Sequence, residues 1–146
     1  MTNVLKYEIE GKKLEKGIGV IIEQIQSYIR VNGAAQIGPL IQHMDTNPDS
    51  NGIPHPQMSL MLQCNTFIED VKDPYIMEKE IRVEDAMYCR FNGYENDMHF
   101  AYNKITLEAY EADERLSTDS YMIFLENSED EDKALIDIFV PRALSC

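Results

Sequence analysis

The chain has no tryptophan, only three cysteines and half as many basic as acidic side chains, and each shortage narrows what the protein can be. With 13 Lys and Arg against 26 Asp and Glu, the formal net charge is −13 at pH 7. Holding a phosphate backbone draws on a surplus of Lys and Arg, so no direct contact with nucleic acid is expected. Cys64, Cys89 and Cys146 are odd in number and fall in no paired spacing. That argues against a disulfide framework and for a reducing, cytoplasmic setting. No stretch approaches the roughly 20 apolar residues that cross a bilayer, and the opening MTNVLKYEIEGKK has no apolar run behind a basic start. The expectation is a soluble, unexported protein with no membrane role.

Catalytic and metal-binding patterns are scarce as well. His43, His55 and His99 stand far apart, and none forms a close ligand pair with another His or Cys, so no metal is expected. The glycines of KGIG precede a helix but lack the Lys and Ser/Thr of a nucleotide loop. Lys12, Lys13 and Lys16 in EGKKLEK form the basic cluster, read as a solvated loop, and ENSEDEDK reads as a solvated acidic turn. Neither Cys64 nor Cys89 has a context that lowers a thiol pKa. The expectation is a protein without a cofactor and without catalysis.

What is present is alternation. ALIDIFVP places Ile136, Ile138 and Val140 on one face and Leu135, Asp137 and Phe139 on the other, a half-buried strand ended by Pro141. DSYMIFLEN alternates likewise, and the polar NSEDEDK between the two predicts a hairpin. Upstream, Met98, Ala101, Tyr102, Ile105, Ala109 and Ala112 recur at helical spacing, and DAMYCRFNG reads as a strand stopped at Asn92-Gly93. The first half repeats this order: VLKYEIEG as a strand, a helix with Ile18, Ile22, Ile25 and Ile29 on one stripe and Gly33 at its C-terminal cap, then the strands GPLIQHM and QMSLMLQC.

These elements predict an α+β fold, an antiparallel sheet with two helices on one face, built from two strand-helix-strand-strand repeats. Repeat one covers about residues 3–64, a linker 65–80 and repeat two about 81–142, all within a single domain of 1–146. The helix-packed face of the last hairpin is expected to carry Tyr121, Ile123, Leu125, Ile136, Ile138 and Val140. The opposite face is expected to carry Met122, Phe124, Glu126, Asp137 and Phe139, a mixture too apolar for a plain solvated surface.

Three stretches, CRFNGYENDMHFAYNKI, SYMIFLENSED and IDIFVP, together with IGVIIEQIQSYIRVNG and GPLI in the first half, resemble the GyrI-like superfamily. That superfamily, built from duplicated SHS2 modules, includes gyrase-inhibitory proteins and effector-binding domains of multidrug-responsive regulators. The resemblance implies a ligand cleft between the repeats, on the sheet face away from the helices, with a glutamate and aromatic neighbours. Met122 falls where that glutamate would stand, Phe124 where an aromatic is usual, and Phe139 at a usual tyrosine position. Neither Met nor Phe can act as a general base, so the hydrolytic activity suggested for some members is not expected.

Glu126 either substitutes for the missing acid from the cleft rim or merely opens the acidic turn. Tyr88 and Arg90 share the non-helix face of their strand, as a surface pair or a ligand clamp. Met61, and Leu40 from a strand whose facing is ambiguous, are candidates from the first repeat. The function expected is a stand-alone, non-catalytic binder of a small lipophilic or aromatic molecule. The alternative is an acidic interaction or inhibitor protein whose apolar face docks an enzyme, a toxin or a second copy of the chain as a homodimer.

Overall fold

The computed structural model describes the backbone of residues 1–9, 17–48, 50–83, 85–94, 97–127 and 133–143; within these, the side chains of residues 18, 46–48, 54–56, 126, 127, 133 and 134 lie outside the description. The lysine cluster Lys12, Lys13 and Lys16, most of the acidic turn, and Cys146 fall outside it. Contacts divide the chain into two compact units, Met1–Arg82 and Val83–Cys146. Both are antiparallel sheets carrying a helix, so the class is α+β, with seven strands and two helices among the described residues.

The N-terminal unit runs β1 (Thr2–Ile9), α1 (Ile18–Val31), β2 (Leu40–Pro48), β3 (Pro54–Gln63) and β4 (Tyr75–Glu80). Its strands lie in the order β4-β1-β3-β2, every pairing antiparallel. Alternation sends Leu5, Tyr7 and Ile9 of β1 and Leu60 and Leu62 of β3 onto Ile21, Ile25 and Ile29 of α1, and each such buried side chain contributes about 1.5–3 kcal/mol. The helix stripe is thus Ile21, Ile25 and Ile29, with Ile22 beside it and half-buried.

The C-terminal end of α1 closes as the sequence suggests. Gly33 adopts φ 77°, its N–H bonds to Arg30 O, and Ala34 N–H bonds to Ile29 O at 3.0 Å, the paired bonds of a Schellman cap.

Strand β4 corrects the reading of 65–80 as a linker. Its last three residues are Glu78, Lys79 and Glu80, all exposed, so its sequence has little strand patterning; tyrosines hold its start instead. The Tyr75 ring stacks on Tyr28 at 3.9 Å and meets Tyr7 edge-on at 5.3 Å, and burial, the largest cause, raises the Tyr75 phenol pKa.

The C-terminal unit runs β5 (Ala86–Tyr94), α2 (His99–Glu111), β6 (Asp119–Asn127) and β7 (Lys133–Pro141). Strand β7 lies between β5 and β6, antiparallel to both. Ala101 and Ile105 of α2 pack on Ile136, Ile138 and Val140 of β7, as the alternation of ALIDIFVP predicts, and Ala109 is buried too. Past α2 the chain turns at Asp113, φ 54°, and is stitched to the end of β7 by Ser117 N–H to Pro141 O and Ala143 N–H to Arg115 O. Arg142 ties the same corner, 2.6 Å from Glu114 and 2.8 Å from Asp85.

Candidate ligand-binding site

Strand register settles which side chains share a face. In antiparallel strands, residues directly opposite point the same way. Across β6 and β7 the pairs are Tyr121 with Phe139, Met122 with Ile138, Ile123 with Asp137, and Phe124 with Ile136. Met122 and Phe124 therefore lie with the Ile136 and Ile138 core beneath α2, where Met122 is 5% exposed and Phe124 is half-buried.

This reverses the expected facing of β6: Tyr121 and Ile123, assigned to the helix side, are on the face away from it. Both residue sets of β6 are apolar, so alternation alone cannot choose between them. A register shift between Phe124 and Glu126 breaks the phase as well. Glu126 pairs with Leu135 in register, and its side chain lies outside the described residues.

The face of the C-terminal sheet away from α2 gathers a different set. On β5 and β7, Tyr88 pairs with Phe139 and Arg90 with Asp137. The Tyr88 and Phe139 rings lie 5.1 Å apart and tilted at 37°, an arrangement worth about 0.5–1.5 kcal/mol beyond area burial when fully desolvated. Asp137 is only 9% exposed. Its Oδ1 accepts from Tyr88 Oη and Arg90 Nε, both at 2.8 Å, and its Oδ2 accepts from Arg90 Nη2 at 3.1 Å. The Arg90 side chain is 55% exposed, and Tyr88 is 48% exposed.

Tyr88, Arg90 and Phe139 are thus brought together, with Asp137, Tyr121 and Ile123 on the same face. Alternation places Tyr88, Arg90, Asp137 and Phe139 on that face and puts Tyr121 and Ile123 on the other, and nothing in the sequence revealed that the register partner of Asp137 is Arg90.

Electrostatics follow from that triad. The Arg90 hydrogen bond holds the Asp137 carboxyl below the ordinary carboxylate range, and burial opposes the shift. The hydrogen bond to Asp137 raises the Tyr88 phenol and, with its charge, the Arg90 guanidinium. A carboxyl depressed in the folded state adds stability above its unfolded pKa, about 3.9, and loses it as pH falls through the lower folded value. Asp137→Asn is therefore expected to be less stable than the wild type at pH 7, with the difference vanishing below the ordinary carboxylate range, as urea melts across pH 7 to 2 would show.

The first-repeat candidates separate. Met61 is buried on the N-terminal sheet face opposite α1, paired with Ile41 of β2. Leu40 packs on the α1 side, so Ile41, one residue on, is the side chain that shares the face of Met61. On that face Lys6 stands opposite Met61 in register and is ion-paired with the exposed Glu8 at 3.8 Å.

Elsewhere, among the described residues, lie two further clefts. One of about 500 Å³ runs along the outer side of α1, lined by Val20, Gln24, Ser27, Tyr28 and Tyr75 among others. The other, about 340 Å³, lies in the C-terminal unit between Tyr102, Ile105 and Val140 and the hydroxyls of Ser117, Thr118 and Ser120. Among the described residues no group of three His, Cys, Asp or Glu gathers as a metal site. The Cys64 thiol is fully buried, and that burial pushes its pKa up, which suits packing rather than nucleophilic attack. Among the described residues, no helix is long and apolar enough to cross a membrane.

The chain matches no protein-family model, and no curated protein matches it significantly.

Proposed function

We propose that this protein is a non-catalytic, cytoplasmic binder of a small aromatic or lipophilic molecule, and that the ligand lies on the face of the C-terminal sheet away from α2. The observation that carries this reading is the Tyr88 and Phe139 ring pair, with Tyr88 about half exposed, directly beside the Arg90 to Asp137 ion pair. Rings supply contact area, and a few fixed polar groups supply orientation, the usual composition of a small-molecule site.

The order strand, helix, strand, strand makes up the C-terminal unit and opens the N-terminal one, where β4 follows it, which supports reading the chain as two repeats of a single GyrI-like domain. Met122 and Phe124 pack in the core beneath α2, so neither lines the proposed ligand surface. A thermal-shift panel of neutral, cationic and anionic aromatic compounds tests the reading. A saturable stabilisation of roughly 2.7 kcal/mol at 100 times the dissociation constant is expected, and Phe139→Ala should remove it. A panel with no response, or a response unchanged in Phe139→Ala, would count against the site.

A second reading has its own observation. Phe100, Leu107 and Tyr110, on the outer side of α2, are 62, 58 and 83% exposed, an apolar stripe on a chain of net charge −13. The partner this suits is a protein with a basic rim around an apolar patch, rather than a second copy carrying the same negative charge. Co-elution with such a partner, lost in Leu107→Glu while the aromatic panel gives no shift, would favour docking over ligand binding.

A further inference from the structure

Asp137 is filled at both carboxylate oxygens: Oδ1 takes two hydrogen bonds and Oδ2 one, all from Tyr88 and Arg90. Only 9% of the residue reaches solvent. A cationic ligand approaching this face would have to displace Arg90 to reach the acid. Arg90 is in the opposite condition. Asp137 occupies its Nε and Nη2 edge, using two of the five guanidinium N–H groups. Beyond Asp137 and the Tyr88 hydroxyl beside it, Arg90 has no side-chain partner among the described residues, and its side chain is 55% exposed. The free end of the guanidinium, Nη1 with the second N–H of Nη2, is itself a fork that matches a carboxylate. The ion pair with Asp137 holds that fork in one orientation, so a ligand need not restrict it further.

The spacing of the rings completes the arrangement. Tyr88 and Arg90 share one face of β5, and Tyr88 Oη and Arg90 Nε both donate to Asp137 Oδ1 at 2.8 Å, which sets the Tyr88 ring next to the guanidinium, with Phe139 beside Tyr88. A ligand whose carboxylate meets the guanidinium therefore carries its ring onto the two aromatic side chains. We infer that this surface takes a planar aromatic carboxylate, its carboxylate docked on Nη1 and Nη2 of Arg90 and its ring laid against Tyr88 and Phe139. The inference rests on reading this face as the ligand surface, and it fixes the sign of the ligand's charge. The net charge of −13 repels anions at long range, so the recognition is carried by directed N–H groups. At about 0.15 M salt, where the screening length is about 8 Å, the distant charges matter little.

The test is an NMR titration of the full isotopically labelled chain at that salt with 2-naphthoate, 2-naphthamide and 2-(aminomethyl)naphthalene. The expected result is saturable shifts at Tyr88, Arg90 and Phe139 with naphthoate, a Kd tighter than about 1 mM, and at least about tenfold weaker binding of the other two. Arg90→Lys keeps the charge and loses the fork; it should weaken naphthoate about tenfold and leave naphthamide unchanged. If the amide or the amine binds this face as tightly as naphthoate, or if Arg90→Lys binds naphthoate undiminished, the carboxylate inference falls while the site stands. If none of the three compounds moves Tyr88 and Phe139, both fall.

Discussion

Met122→Asp is expected to unfold the C-terminal unit, whereas Phe139→Asp, on the neighbouring position of the facing strand, is expected to leave it folded. Met122 is 5% exposed and packs with Ala101, Ile105, Ile136 and Ile138. A carboxylate forced into that position meets no partner, and an unpaired buried charge costs several kcal/mol even after relaxation. Against a total stability of about 5–15 kcal/mol for an ordinary domain, that loss is decisive. Phe139 belongs to the face away from α2 and is half-buried, so an acid there keeps contact with water. Urea denaturation of both variants, followed by the dispersion of the amide resonances of residues 86–94 and 133–140, checks the pair. Equal midpoints for the two variants would mean that β6 faces the other way.

Leu62→Ala carries the second large effect, this time in the N-terminal unit. Leu62 is fully buried opposite Leu5 in register, in the cluster that includes Ile21, Ile25 and Ile29 of α1. Removing a buried leucine loses the transfer free energy of the deleted atoms and leaves a cavity that the surroundings fill only in part, typically 2–5 kcal/mol. Tyr7 belongs to the same cluster and Tyr75 packs against it, so the variant should also weaken the near-ultraviolet circular dichroism of the Tyr7, Tyr28 and Tyr75 group. A midpoint in urea within error of the wild type would show that α1 does not seat on β3 as described.

Some of this arrangement was legible in the sequence and some was not, for reasons that differ by strand. In β7 one alternate set is Ile136, Ile138 and Val140 and the other contains Asp137; the contrast fixes the facing, and the structure agrees. In β6 the alternatives are Tyr121 and Ile123 against Met122 and Phe124, and hydrophobicity cannot choose between them. Pairing with β7 decides it, and pairing is a long-range property that a local pattern does not contain. Leu40 and Ile41 pose the same problem in two adjacent aliphatic residues, one for each face of β2.

Strand β4 was missed because YIMEKE has an edge strand's charge, and the tyrosine contacts that hold its start come from β1 and α1. For the site, the face of Tyr88 and Arg90 follows from period-two alternation. The bidentate partnership with Asp137 required the register of β5 against β7, across 47 residues of sequence.

The proposed ligand surface is the helix-free face of the C-terminal sheet, while the Met122 side is closed core. The most direct measurement is a crystal structure of the full chain soaked with the tightest compound from the aromatic panel. The account predicts density against Tyr88 and Phe139, within hydrogen-bonding reach of Arg90, with Met122 and Phe124 unchanged beneath α2. Density instead in the α1 groove beside Tyr28, or in the cleft between Tyr102 and Ser120, would contradict it.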